Sequence, residues 1–273
     1  MAAERQGAPF GDDGAWHGAR FRRREEGSLA TFVLVHGAMH GGWCWKRVAP
    51  LLRTAGHDVY APTLTGLGER AHLAHAGIDL DTHVRYVVGV FEYEDLDRVV
   101  LVGHSYAGTV IAGVADRLPG RVAHLVHLDA AEAGDGQALL DLFPPEFQAA
   151  ERALVEAEGG GWRWPPPDPS VWGIMDPEDA AWVRAKLTPQ PFQTFTQPLK
   201  LTNPAGFAGS RTYIACVEAG QSGWRDAMVA RARTEPGWHY REVATGHDAM
   251  ITAPREVADL LLEAARPASG GEA

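Results

Sequence analysis

Cysteine is almost absent from this chain: among 273 residues it occurs twice, at Cys44 and Cys216. The two lie far apart in unrelated apolar settings, so neither a disulfide framework nor a thiolate metal site is expected, and a reducing cytoplasm is the simplest setting. A positive excess is missing too. The formal net charge is −10 and there is no Lys/Arg-rich groove, which argues against nucleic acid or anionic membranes as partners. The run Arg20, Arg22, Arg23, Arg24 is followed directly by Glu25 and Glu26 and reads as a solvated stretch. No apolar run reaches the roughly 18 residues of a spanning helix, and residues 1–30 lack the apolar centre of a secretory signal. A phosphate loop or dinucleotide fingerprint is not found either: Gly66-Leu67-Gly68 lacks the third glycine and the strand context. No cofactor and no metal is expected, no internal repeat is evident, and a homodimer stays open.

What the chain does have is a hydrophobic content of 45 %, enough for a substantial core. Apolar, often β-branched runs at Thr31–His36, His57–Ala61, Val99–Val102, Val122–Leu128, Arg211–Val217 and Trp238–Val243 predict six strands. Helical patterns lie between them: one carrying Trp45, Val48, Leu51 and Leu52, one from about Leu80 to Tyr93, one through Val110, Ile111 and Val114, and one from Pro254 to about Ala265. Such alternation implies an α/β fold, a mainly parallel sheet of about six strands covered by helices on both faces. Right-handed crossovers bring the strand carboxyl ends to one edge, where open α/β sheets hold ligands.

The rhythm breaks between about Ala131 and Phe207, a stretch holding Trp162, Trp164, Trp172, Trp182, Phe192, Phe195 and the run Pro165-Pro166-Pro167. It is too long and too aromatic for an ordinary connection. It reads as a cap of short helices and rigid turns over the carboxyl edge. The expected plan is therefore a flexible leader over 1–29, a core over 30–130 and 208–266, a cap insertion over 131–207, and a frayed tail over 267–273.

One segment carries the chemistry. Val99–Val102 leads into Gly103-His104-Ser105-Tyr106-Ala107-Gly108 and then a helical pattern. A strand, a sharp turn of small residues around one serine, then a helix is the geometry of a nucleophile elbow. A serine hydroxyl needs a base to take its proton. Of twelve histidines, His247 is late, lies in a Gly-His-Asp turn and falls at the correct edge. His36, His104, His124 and His127 read as structural. The third member of such a triad is an acid that orients the imidazole. Asp129 and Glu218 each end a strand at that edge, and pattern alone leaves both open. Asp248, next to His247, is poorly placed to reach its Nδ1 and reads as a loop residue. The backbone N–H groups of Tyr106 and Ala38 are the candidate oxyanion donors. Met39, Trp164 and Phe195 are the candidate substrate contacts, although the cap aromatics could equally pack the cap itself.

The segments His36-Gly-Ala-Met-His-Gly-Gly-Trp-Cys-Trp45, Gly103-His-Ser-Tyr-Ala-Gly108, Tyr213-Ile-Ala-Cys216 and Gly246-His247 resemble the α/β-hydrolase family of plant methyl esterases and hydroxynitrile lyases. Thr65-Gly-Leu-Gly-Glu-Arg-Ala-His-Leu73 is more like the bacterial esterases of that group. The resemblance spans roughly residues 31–265 and implies a cofactor-independent esterase, with Ser105 as nucleophile, His247 as base, and Ala38 and Tyr106 as oxyanion donors. Two departures refine it. In the plant enzymes the acid lies just after the strand matching Tyr213–Cys216, one position beyond a glutamate. That position here is Ala219, while Asp129 stands where those enzymes carry a small residue, so Asp129 is favoured over Glu218. The lyases use a threonine and a lysine where this chain has Gly37 and Asp248, which argues against cyanide chemistry. The expectation is a serine hydrolase of a carboxylic ester or lactone of a bulky apolar or aromatic small molecule, acting through an acyl-enzyme. The alternatives are C–C or amide bond cleavage by the same triad, or a hydrolase-fold ligand-binding or accessory protein.

Overall fold

Thr31–Val35 forms strand β1 with all five residues buried, as a strand covered on both faces requires. The computed structural model describes residues 29–266 apart from positions 204 and 221. The expected leader, with its arginine run, and the expected tail lie outside the described residues, Leu29 excepted. After β1 the chain passes through a 3-10 turn, Gly42–Lys46, into α1, Ala49–Thr54. The single helix expected around Trp45–Leu52 is thus two pieces, because Pro50 lacks an N–H and suits only the first turn of α1. Then follow β2 (Asp58–Tyr60), α2 (Leu80–Tyr93), β3 (Val99–His104), α3 (Ala107–Arg117) and β4 (Val122–Leu128).

Successive side chains of a strand point to opposite faces, so each buried strand feeds two cores. Val33 and Val35 of β1 and Leu101 of β3 pack with Val84, Val87, Val110 and Ile111 on one face. Phe32, Leu34, Val100 and Val102 pack with Trp45, Leu52, Val257 and Leu261 on the other.

Between β4 and the next sheet strand lie α4 (Pro145–Glu158), β5 (Arg163–Trp164), α5 (Pro177–Arg184), β6 (Gln190–Pro191) and α6 (Gln193–Thr196). Helix α4, at 14 residues, is longer than the short helices expected there, and β5 and β6 pair as a small antiparallel ribbon. The sheet resumes with β7 (Ser210–Cys216), then α7 (Gly223–Thr234), β8 (Trp238–Val243), α8 (Ala249–Thr252) and α9 (Pro254–Ala264). Helix α7 has no counterpart in the sequence reading. It buries only Met228 and Ala232, too thin an apolar stripe to show as a periodic pattern. The six-stranded sheet runs β2-β1-β3-β4-β7-β8 with every pair parallel. Among the described residues no helix is long and apolar enough to cross a membrane.

A crowded turn joins β3 to α3. Ser105 sits there at φ +53°, and the backbone passes so close that side chains are excluded on either side. A Cβ on Gly103 would lie 2.7 Å from the Ala107 carbonyl oxygen, and one on Gly108 would lie 2.5 Å from that of Ala131. Ala107, where the common elbow pattern has a glycine, is fully buried and accommodated. A Gly→Ala change inside a helix ordinarily gains stability, by up to about 1 kcal/mol. Here the sign reverses: Gly108→Ala is expected to lose about 1–3 kcal/mol, read as a lower urea midpoint at unchanged slope. An unchanged or raised midpoint would show that the turn is not crowded.

Candidate active site

Three loops meet at the carboxyl edge of the sheet. Ser105 leaves the end of β3, Asp129 directly follows β4, and His247 lies in the loop after β8. His247 Nε2 is 2.9 Å from Ser105 Oγ, and its Nδ1 is 2.5 Å from Asp129 Oδ2. An ionised carboxylate only accepts, so Nδ1 carries the ring proton and Nε2 accepts from the Ser105 hydroxyl. Asp129 is fully buried. Burial pushes its carboxyl up, but its pairing with His247 and Arg225 outweighs burial and holds it well below the usual carboxylate range. Glu218 is exposed, with its amide bonded to the Thr245 carbonyl. The fold therefore brings Asp129, not Glu218, to the imidazole.

Backbone strain concentrates here. Of the five non-glycine residues with positive φ among the described residues, three are Met39, Ser105 and Asp129, at +65°, +53° and +41°. Such conformations cost of order 1–3 kcal/mol each and persist only where surrounding contacts enforce them. The Asp129 amide is held by Ile214 O at 2.8 Å and the Met39 amide by Gln190 Oε1 at 2.9 Å.

The loop after β1 lies against the elbow. A Cβ on Gly37 would be 2.7 Å from His104 Nδ1 and 3.1 Å from Ser105 Cβ, so only glycine lets the loop pass. Ala38 next to it lines a cavity of about 20 Å³ together with His40, His104, Ser105, Trp172, His247 and Asp248. That volume suits one water. Met39, Trp164 and Phe195 do not line it. Met39 is buried with its carbonyl accepting from Thr188 N at 3.0 Å. Phe195 stacks on Tyr106 at 5.1 Å between ring centroids, and Trp164 meets Phe195 edge-on at 4.8 Å. A larger groove of about 530 Å³ between β2 and α2 holds none of these residues.

The surrounding histidines are fixed in distinct protonation states. His36 donates Nδ1–H to Gly37 O at 2.8 Å and accepts from Leu64 N at 3.0 Å, so it is neutral and holds the loops together. His83 donates to Thr65 O through Nε2 and accepts from the Tyr106 hydroxyl at 2.8 Å. His104 donates from Nε2 to His247 O at 3.0 Å, steadying the loop that carries the base. Burial lowers His36 and His104 to about 3 and His83 to about 4.

His40 differs. Its Nδ1 faces Ala38 O at 2.7 Å and its Nε2 faces Asp248 Oδ2 at 3.0 Å. Both partners only accept, so both ring nitrogens carry protons and the ring is a cation. Burial lowers its basicity, but the Asp248 charge and bond more than reverse this. Trp43 stacks on one side at 5.3 Å and Trp172 lies on another at 5.1 Å. The pair ties the loop bearing Ala38 to the loop bearing His247. Asp248, read from sequence as a loop residue, lies in the loop ahead of α8 at its N-cap position, and its burial is complete.

Two contributors escaped the sequence reading, the His40–Asp248 pair and Arg225. His40 lies in the same post-strand loop as Ala38, and a second acidic group beside the base was a usable signal. Arg225 stands in the first turn of α7, where the helix dipole disfavours a cation. Such a placement points to a carboxylate partner but does not say which.

The alpha/beta hydrolase family profile matches residues 32–260. The chain is 39% identical over 245 residues to the carbendazim hydrolyzing esterase of Nocardioides sp. (strain SG-4G), covering 85% of this chain and 98% of that protein. It is 27% identical over 261 residues to methylesterase 10 of Arabidopsis thaliana, covering 88% and 94%. Among solved structures it is similar to an extracellular alpha/beta-hydrolase from a Paenibacillus species, at a TM-score of 0.77 and 25% identity, covering 87% of this chain and 100% of that one.

The His40–Asp248 pair makes a pH-dependent prediction. His40 is raised from 6.5, so the stability it contributes is complete below that value and fades as pH rises through its folded value. Asp248 is lowered from 3.8 because His40 and its neighbours outweigh burial, so its share is present above that value and fades as pH falls. Asp248→Asn leaves a buried cation without its counter-charge and is expected to cost about 3–5 kcal/mol near pH 6. In urea titrations the gap between parent and variant should narrow as pH is raised. A gap independent of pH would mean that His40 is neutral in the folded protein.

Proposed function

The chain belongs to the alpha/beta hydrolase family, and we propose that it hydrolyses a carboxylic ester of a small molecule through an acyl-enzyme on Ser105. The observation that carries this reading is the continuous relay Ser105–His247–Asp129, with contacts of 2.9 and 2.5 Å. Ser105 Oγ attacks the ester carbonyl as its proton passes to His247 Nε2. Asp129 holds the imidazole by Nδ1 and stabilises the cation that forms. The amides of Ala38 and Tyr106 receive the oxyanion, each donor supplying on the order of 3 kcal/mol of transition-state stabilisation. His247 returns the proton to the leaving alcohol, and a water repeats the sequence to release the acid.

The cavity beside Ser105 has room for a water but not for an ester. Entry therefore requires one of its walls to move, and Trp172, at the end of the cap turn Pro169–Trp172, is one of them. Met39, Trp164 and Phe195, which lie outside the cavity, are the apolar side chains assigned to meet the substrate once it opens, and their character supports a bulky apolar or aromatic ester or lactone as substrate. The esterase names of the relatives support the same class. Two buried free thiols, Cys44 and Cys216, fit a cytoplasmic setting.

Labelling with a fluorophosphonate tests the assignment. The parent is expected to label and Ser105→Ala not to. With p-nitrophenyl esters, Asp129→Asn should slow turnover by about four orders of magnitude, while Glu218→Gln stays close to the parent. Labelling that survives Ser105→Ala, or the reverse order for the two acids, would overturn it.

A further inference from the structure

Asp129 accepts from two side chains. Besides His247, the Arg225 side chain reaches it from α7, donating Nε to Oδ1 at 2.8 Å and Nη2 to Oδ2 at 2.7 Å. The oxygen that accepts from His247 Nδ1 is thus also held by the guanidinium. Arg225 Nη1 donates to Gly220 O at 2.6 Å and to Ser222 Oγ at 3.3 Å, which fixes the fork from its other end. The side chain is only 11% exposed, so water screens the pair weakly.

We propose that Arg225 is a positioning residue that keeps His247 an uncharged base by neutralising Asp129. This rests on the reading of Asp129 as the triad acid. A buried carboxylate alone would favour the imidazolium form of the ring it touches, and an imidazolium cannot take the serine proton. The guanidinium cancels that bias while leaving the carboxylate oxygen in place to orient the ring. A two-point clasp also fixes the carboxylate plane, which a single-point cation would not do.

The other groups facing His247 do not supply this. Asp248 is neutralised by His40 at 3.0 Å. His104, its Nε2 on the His247 carbonyl, is held neutral by burial. Cys216 Sγ contacts the same carbonyl at 3.8 Å and burial keeps it a thiol. Tyr213 lies 3.5 Å from Asp129 Oδ1, its phenol kept protonated by burial and by that carboxylate. Trp224, edge-on to His247 at 6.4 Å, is uncharged.

The test is the pH profile of kcat/KM with a p-nitrophenyl ester for the parent, Arg225→Met and Arg225→Lys, with Asp129→Asn alongside. Arg225→Met is expected to move the acid limb up by about one pH unit. Arg225→Lys, which keeps the charge but loses the fork, should restore most of that shift. Should Arg225→Met not fold, Arg225→Gln offers the same loss of charge with a donor retained. An acid limb unmoved in a folded, charge-free variant, with activity lowered uniformly, makes Arg225 a structural clasp only and overturns the proposal. An Asp129→Asn variant that keeps its activity instead overturns the triad reading beneath it.

Discussion

The contact between His247 Nδ1 and Asp129 Oδ2 joins residues 118 positions apart, and the site is arranged around it. It settles which ring nitrogen carries the proton, and so which one is left to face Ser105. The sheet makes this possible at low entropic cost, because β3, β4 and β8 deliver all three residues to one edge on short, anchored turns. The strained backbone at Met39, Ser105 and Asp129 is the local cost of aiming those groups inward, and the ladder and cap bonds around them sustain it.

Charge at the site is balanced in pairs. Asp129 is matched by Arg225 and Asp248 by His40, so two buried carboxylates flank His247 without either standing unopposed. An unpaired buried carboxylate would be expensive and would draw a proton to the nearest imidazole. The remaining nearby histidines are held neutral by burial and by hydrogen bonds that fix their tautomers. Of several imidazoles, that of His247 is the one with a ring nitrogen facing the Ser105 hydroxyl.

Much of this was legible in the amino-acid order. The strands could be read because β-branched runs such as Val99–Val102 announce themselves locally, and the elbow because glycine at 103 and 108 has a steric cause. Asp129 became readable only against the absence of an acid at Ala219. Less visible were features that depend on contacts across the fold. Helix α7 buries too few residues to pattern, and the partner of Arg225 lies 96 positions away, just after β4. The double donation by His40 depends on a carboxylate 208 residues later. Trp164 and Phe195 illustrate the converse: aromatic residues between β4 and β7 are easily noticed, but their sequence does not say whether they face ligand or each other.

The most direct examination of the central bond is proton NMR of the folded protein in water. A short, charge-assisted Nδ1–H···O contact should give a resonance well downfield of ordinary imidazole protons, present in the parent and lost in Asp129→Asn. A spectrum with no such signal, or one that survives that substitution, would contradict the account.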